Sequence, residues 1–122
     1  MNIFRVSNNE AEAGAIVEPW GRIRFLASRA MGNAGDITFG RVTIHRGEQN
    51  PRHAHMKSEE VIHVLAGRIE HTVGDERIIL GPGDTLTIPA GVFHNAISVG
   101  EVDAEMIVAF PTGERDFVPE SH

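Results

Sequence analysis

Gly47-Glu-Gln-Asn-Pro-Arg-His53-Ala-His55-Met-Lys-Ser-Glu-Glu60-Val-Ile-His-Val-Leu-Ala-Gly67 is the stretch that decides the fold, together with Gly83-Asp-Thr-Leu-Thr-Ile-Pro89-Ala-Gly91-Val-Phe-His94-Asn-Ala-Ile-Ser98 further on. His53 and His55 are two residues apart and follow a turn containing Pro51. On an extended strand such a pair points to one face, about 7 Å apart at the backbone, so both imidazoles can reach one ion. Glu60 opens the next apolar segment, and His94 follows the Pro89-Ala90-Gly91 turn. Three imidazoles and one carboxylate suit a divalent transition metal: Fe, Mn, Ni, Co, Cu or Zn. Glu59 would face the opposite side of the strand from Glu60.

Outward from this core, turn residues recur at short intervals, among them Gly21, Gly32-Asn33, Gly74-Asp75, Gly81-Pro82-Gly83-Asp84 and Gly100. That rhythm is the one many short antiparallel strands require. Strands are predicted over Arg22–Ala27, Ile37–Arg46, Glu59–Ala66, Arg68–Val73, Arg77–Leu80, Thr85–Ile88, Phe93–Val99 and Asp103–Phe110. Ile23/Phe25, Ile69/Val73 and Leu86/Ile88 alternate as half-buried strands do. One or two helical turns fit Asn8–Ala13, and Thr112–His122 reads as a polar tail whose packing the sequence leaves open. The pattern predicts an all-β sandwich or barrel, with one domain spanning residues 1–122.

The 122 residues include 41% hydrophobic side chains, enough for one core, and no apolar run approaches membrane-spanning length. A net charge of −6 without a clustered basic face argues against nucleic acid. The absence of cysteine removes disulfide and thiolate chemistry and, with no signal-like N-terminus, leads us to expect a cytoplasmic protein.

The two motifs resemble those of the cupin family. The first reads Gly, five residues, His-x-His, four residues, Glu, six residues, Gly, over 47–67. The second reads Gly, five residues, Pro-x-Gly, two residues, His, within 83–98, where Ser98 replaces the Asn often found at its end. The resemblance implies a double-stranded β-helix (jelly-roll) barrel of the RmlC-like kind, holding one metal on His53, His55, Glu60 and His94. It implies a small-molecule substrate and oxygenase, isomerase or lyase chemistry, with a homodimer as the usual assembly. Edge strands such as Ile3–Val6 or Arg22–Ala27 would be natural pairing sites for that dimer. A non-enzymatic sensor that binds a sugar-like ligand is the competing class. The tail Phe110-Pro-Thr-Gly-Glu-Arg115-Asp116-Phe117 loosely resembles that of small cupins which open unsaturated uronate rings. Those carry Gln where Glu60 stands, an acidic residue at the position of Val108, and a Phe-to-Arg spacing shorter by one.

Among the remaining histidines, His71 is in phase with Ile69 and Val73. If that face lines the barrel, His71 is the candidate proton-transfer residue; otherwise it is a hydrogen-bonded core histidine. His63 should face outward or into a partner subunit, His45 could go either way, and His122 is terminal. Trp20 reads as a packing anchor. Arg22, Arg24 and Arg41 are expected to be solvated unless one enters the pocket to hold a substrate carboxylate.

Overall fold

The computed structural model describes residues 4–121. Helix α1 (Asn8–Ala13) is followed by eleven strands: β1 (Ile16–Glu18), β2 (Gly21–Ala27), β3 (Thr38–Ile44), β4 (His53–Ala54), β5 (Glu60–Ala66), β6 (Ile69–Val73), β7 (Glu76–Leu80), β8 (Thr85–Ile88), β9 (His94–Ser98), β10 (Ala104–Phe110) and β11 (Val118–Pro119). They form a six-stranded sheet in the order β1-β2-β3-β10-β5-β8 and a five-stranded sheet in the order β11-β4-β9-β6-β7. From β3 onward the chain passes repeatedly between the sheets, and every pairing is antiparallel. This is the expected all-β jelly roll, and each predicted strand lies within two residues of an observed one.

Alternation places the core. Along β10, Ala104, Met106, Val108 and Phe110 turn inward, and along β5 Ile62 and Val64 do the same. They meet Ile69, Leu80 and Ala96 of the opposite sheet and remove that surface from water. Register then separates the two ends of the barrel. Ile69 pairs with Ser98 at one end, which is filled with aliphatic side chains, while Val73 pairs with His94 at the other. Glu60 shares the inward phase of Ile62 and Val64, and His71 that of Ile69, so both project into the barrel. Gly67, in the turn between β5 and β6, adopts φ +80° and packs against the backbone of Asp103 and Ala104.

Helix α1 forms where its short length allows: Ser7 caps it, its hydroxyl accepting from the Glu10 amide at 3.1 Å, and Ala11 is buried. The helix overturns one sequence expectation. Arg24 is buried rather than solvated, donating to Glu12 at 2.9 Å, Thr43 at 2.7 Å and Glu105 at 3.2 Å. Three oxygens offset the desolvation of its guanidinium. Arg22 and Arg41 remain partly exposed, and none of the three enters the cavity.

Of the expected pairing edges, Arg22–Ala27 lies within β2, which pairs with β3 on one side and with β1 only at residues 21–23 on the other, so residues 24–27 keep an unpaired edge next to that of Ile16–Glu18. Of the Ile3–Val6 segment, Ile3 lies outside the described residues, as does His122, and residues 4–6 form no strand. Among the described residues no helix is long and apolar enough to cross a membrane.

Candidate metal centre

His53 on β4 lies directly opposite His94 on β9, His55 follows β4, and Glu60 begins β5. One donor atom from each of the four lies within 4.8 Å of the others, and all four side chains are buried. Glu59 is exposed, as the six-residue spacing to Gly67 requires.

Each ring is held by a backbone carbonyl. Nδ1–H of His53 donates to the Pro51 carbonyl at 2.7 Å, that of His55 to Asp116 at 2.5 Å, and that of His94 to Val92 at 2.9 Å. A carbonyl only accepts, so Nδ1 carries a hydrogen on each ring and Nε2 is the atom left to face a metal. Glu60 Oε1 lies 2.9 Å from Nε2 of His94 and 3.4 Å from Nε2 of His55. Nε2 of His55 is buried without a hydrogen-bond partner.

Charge sharpens the geometry. Burial opposes ionisation of Glu60, but its contacts with His55 and His94 outweigh burial and hold it down to about 2. Burial pushes His53 down to about 4, so its ring is neutral at pH 7. Those contacts favour the ionised carboxylate only while a proton or a cation lies between it and the ring nitrogens, and with Nδ1 committed to a carbonyl on each ring a cation among the Nε2 atoms fills that role. The residues therefore fit a divalent transition metal, which takes neutral imidazole and carboxylate donors together.

The C-terminal segment supplies the remaining wall. The Asp116 carboxylate accepts from the amides of Met56 at 2.7 Å and Lys57 at 3.0 Å, while its carbonyl holds His55. Burial would raise the Asp116 carboxyl, and the two amides outweigh it and hold its pKa below the usual carboxylate range. Phe117 stacks on His53 at 4.7 Å between ring centroids, and Phe110 meets the edge of His55 at 4.8 Å. So the tail packs, and β11 pairs with β4. The sequence reading did not assign Arg115 and Phe117 to the site. Their i, i+2 spacing before a proline-containing strand was the available signal.

The centre borders a cavity of about 380 Å³. Its walls are mainly apolar, with Ile23, Phe25, Val42, Met106 and Phe110 among them; Trp20 both packs against the core and lines this space. His71 also lines it, 1% exposed, its ring near-parallel to that of His94 at 5.7 Å. Its Nδ1–H donates to the Thr72 carbonyl at 3.0 Å, leaving Nε2 for a ligand. Burial, then the charge of His94, pushes His71 down to about 4. His63 faces away from the cavity, with Nδ1 2.8 Å from the Thr85 hydroxyl, and half-buried His45 lies 3.4 Å from Asp103.

A pH dependence follows for the metal-free protein. His53 and His71 sit at about 4 when folded, against about 6.5 in an unfolded chain. Between those values the unfolded state binds more protons, so stability is complete above pH 6.5 and falls as pH drops towards 4. Glu60, held at about 2, adds to the loss only below pH 4.5. We expect a melting temperature nearly constant from pH 8 to 7, then a loss of a few kcal/mol by roughly pH 4.5. Calorimetry of chelator-treated protein checks this; a profile flat to pH 4.5 would contradict buried neutral rings.

Comparison with known proteins places these features. A family model described as "Cupin domain" (Cupin_2) matches residues 40–110. Germin-like protein 3-8 of Oryza sativa subsp. japonica is 39% identical over 83 residues, covering 64% of this chain and 37% of the relative. Germin-like protein subfamily 3 member 2 of Arabidopsis thaliana is 27% identical over 109 residues, covering 85% of this chain. The chain thus spans less than half the length of these relatives, 37% and 46%. In three dimensions it is similar to Lactobacillus farciminis oxalate decarboxylase in its formate complex, with TM-score 0.81, 20% identity, and coverage of 86% of this chain and 32% of the other. It is also similar to an oxalate oxidase in complex with glycolate, with TM-score 0.76, 21% identity, and coverage of 84% and 56%. At such identities the structural likeness speaks for the fold. With the family match spanning both motifs and the barrel that carries them, the chain belongs to the cupin domain family.

Proposed function

We propose that this cupin is a metal-dependent enzyme acting on a small organic molecule, with His53, His55, Glu60 and His94 as metal ligands. The observation that supports it most is the set of three Nε2 atoms and one ionised carboxylate converging beside a cavity. A divalent ion bound there supplies Lewis acidity towards a carbonyl, carboxylate or enolate oxygen. Four protein donors leave open positions for such an oxygen in a six-coordinate ion.

His71 is the candidate proton-transfer residue. It is neutral at pH 7, fixed by Thr72, and its remaining ring nitrogen is the one available to the cavity. A base beside a Lewis-acid site supports proton abstraction next to a carbonyl, so we favour isomerase or lyase chemistry over oxygenation. The sensor reading for a sugar-like ligand fits less well, because apolar walls leave sugar hydroxyls without partners.

The test combines elemental analysis with turnover. Protein purified without chelator or affinity tag should hold about one transition-metal ion per chain. The loaded protein should exchange or convert protons next to carbonyl groups in a panel of keto acids followed by NMR in deuterated water. His71→Gln should keep the metal and lower that rate by about a hundredfold or more. A protein that takes up no metal would sink the enzyme reading. An unchanged rate in the variant would remove His71 from it.

A further inference from the structure

Arg115 differs in its surroundings from most of the other buried or half-buried arginines. Arg22, Arg24, Arg41 and Arg52 each lie against a carboxylate. Among the described residues no carboxylate lies within ion-pair distance of Arg115, and its side chain makes no hydrogen bond to the protein. Its guanidinium carbon instead sits 5.1 Å from the ring centroid of Phe25, 5.7 Å from Phe110 and 5.8 Å from Phe117. The three rings come from β2, β10 and the C-terminal segment. Aromatic faces position the cation by their quadrupoles but accept none of its N–H groups in the plane. Arg115 lines the same cavity as the metal cluster. A planar donor fork is therefore held towards the interior with its acceptors still to come.

The rest of the wall limits what can bring them. Trp20, Ile23, Val42, Ile62 and Met106 surround the space with carbon. Asn50 is largely committed, its Oδ1 accepting from the Ala96 amide at 2.8 Å and its carbonyl from Asn95 at 3.0 Å. A hydroxyl-rich acid would bury more polar groups than the free nitrogen of His71 and the metal centre can pair. Glu18 is an exposed acid at the cavity wall, and with the Glu60 charge set against a divalent ion the interior keeps a positive balance.

We propose that the cavity takes a small monoanionic acid with an aliphatic or aromatic body, its carboxylate held by Arg115 and its body by the apolar wall. This deepens the metal-dependent reading and rests on it for the identity of the substrate site. Arg115 is a binding and orienting residue: a bidentate grip at one end fixes which carbon faces the metal centre and His71. It separates this chain from a preference for either a sugar acid or a two-carbon diacid, neither of which uses the carbon wall.

The test is calorimetric titration of the metal-loaded full chain with 3-phenylpropanoate, hexanoate, their neutral amides, galacturonate and oxalate. The two carboxylates should bind at least tenfold more tightly than their amides and more tightly than galacturonate or oxalate. Arg115→Gln should bring the carboxylates down to the affinity of the amides, Arg115→Lys should restore part of it, and metal content should be unchanged in both. Equal binding of acid and amide, unaltered binding in Arg115→Gln, preference for galacturonate or oxalate, or no binding of either carboxylate would each overturn the proposal. The acid-to-amide comparison uses unaltered protein, so it stands even where a variant folds poorly. Repeating it on chelator-treated protein separates the two readings, since absence of metal uptake defeats the metal reading while the Arg115 preference is still read.

Discussion

His94→Ala should abolish metal uptake and the thermal stabilisation that accompanies it. In the unaltered protein, metal at about a hundred to a thousand times its Kd stabilises the fold by roughly 2.7–4.1 kcal/mol. For a domain of this size that is an upward shift on the order of 10 °C. The variant loses one of four donors and the ring contact with His53 at 4.4 Å between centroids. It also empties a buried position whose ring lies against His71 at 5.7 Å between centroids, and truncating a buried side chain of that size costs about 2–5 kcal/mol. Metal-free His94→Ala should therefore melt well below the metal-free parent, and added metal should not move it. Elemental analysis and calorimetry read both effects. His63→Ala is the control, since His63 faces away from the cavity and should leave both unchanged. Undiminished metal in His94→Ala would place the ion elsewhere.

Gly67→Ala should cause a large stability loss at a position outside the site. A side chain there must accept φ +80°, and its Cβ would stand 2.7 Å from the Cα of Ala104 and 2.8 Å from the carbonyl oxygen of Asp103. The left-handed conformation alone costs about 1–2 kcal/mol. The obstruction is backbone, and Ala104 is fixed by its register with Ile44, so the turn between β5 and β6 must lift away. Together these should remove about 3–5 kcal/mol, read as a lowered urea midpoint with unchanged slope. Gly47→Ala isolates the first part: Gly47 has the same φ of +80° but open space around it. It should cost only about 1–2 kcal/mol. Equal losses at the two positions would show that contact with Asp103 and Ala104 contributes nothing.

The contrast between the two glycines shows what the sequence could convey. Both occupy motif positions that signal a backbone turn, but spacing alone does not reveal that one of them lies against a distant strand. The same distinction runs through the fold. Long alternating strands announced themselves, because burial of one face writes a period of two into the residues. β1, β4 and β11 did not, having three, two and two residues. Periodicity needs more length than that, and β11 exists only because Val118 meets Ala54 across a large sequence separation. Arg24 misled for a related reason: nothing on β2 tells that α1 will fold over it.

In the site, His53, His55, Glu60 and His94 were legible because their spacing fixes which side of the strand each occupies. Arg115 and Phe117 lie in a segment that has no strand period and takes its shape from Asp116 and its hold on Met56 and Lys57. Their inward direction is a tertiary fact. The carbon character of the cavity is equally tertiary, since it is assembled from inward positions on several strands whose composition is that of any core.

The place of β10 between β3 and β5 has a consequence in time. Its residues 104–110 complete both neighbours, pairing with 38–44 on one side and 61–66 on the other. Until it arrives, two central strands present bare edges. The productive encounter must close loops of several tens of residues before any reward is collected, so folding belongs to the millisecond-to-second regime of non-local β architectures. His53, His55 and Glu60 lie within eight residues of one another in the chain, whereas His94 comes opposite them only when β9 pairs with β4. Metal capture and barrel closure are thereby competitors for the same few residues, and a chain that binds early must still find its register around the ion.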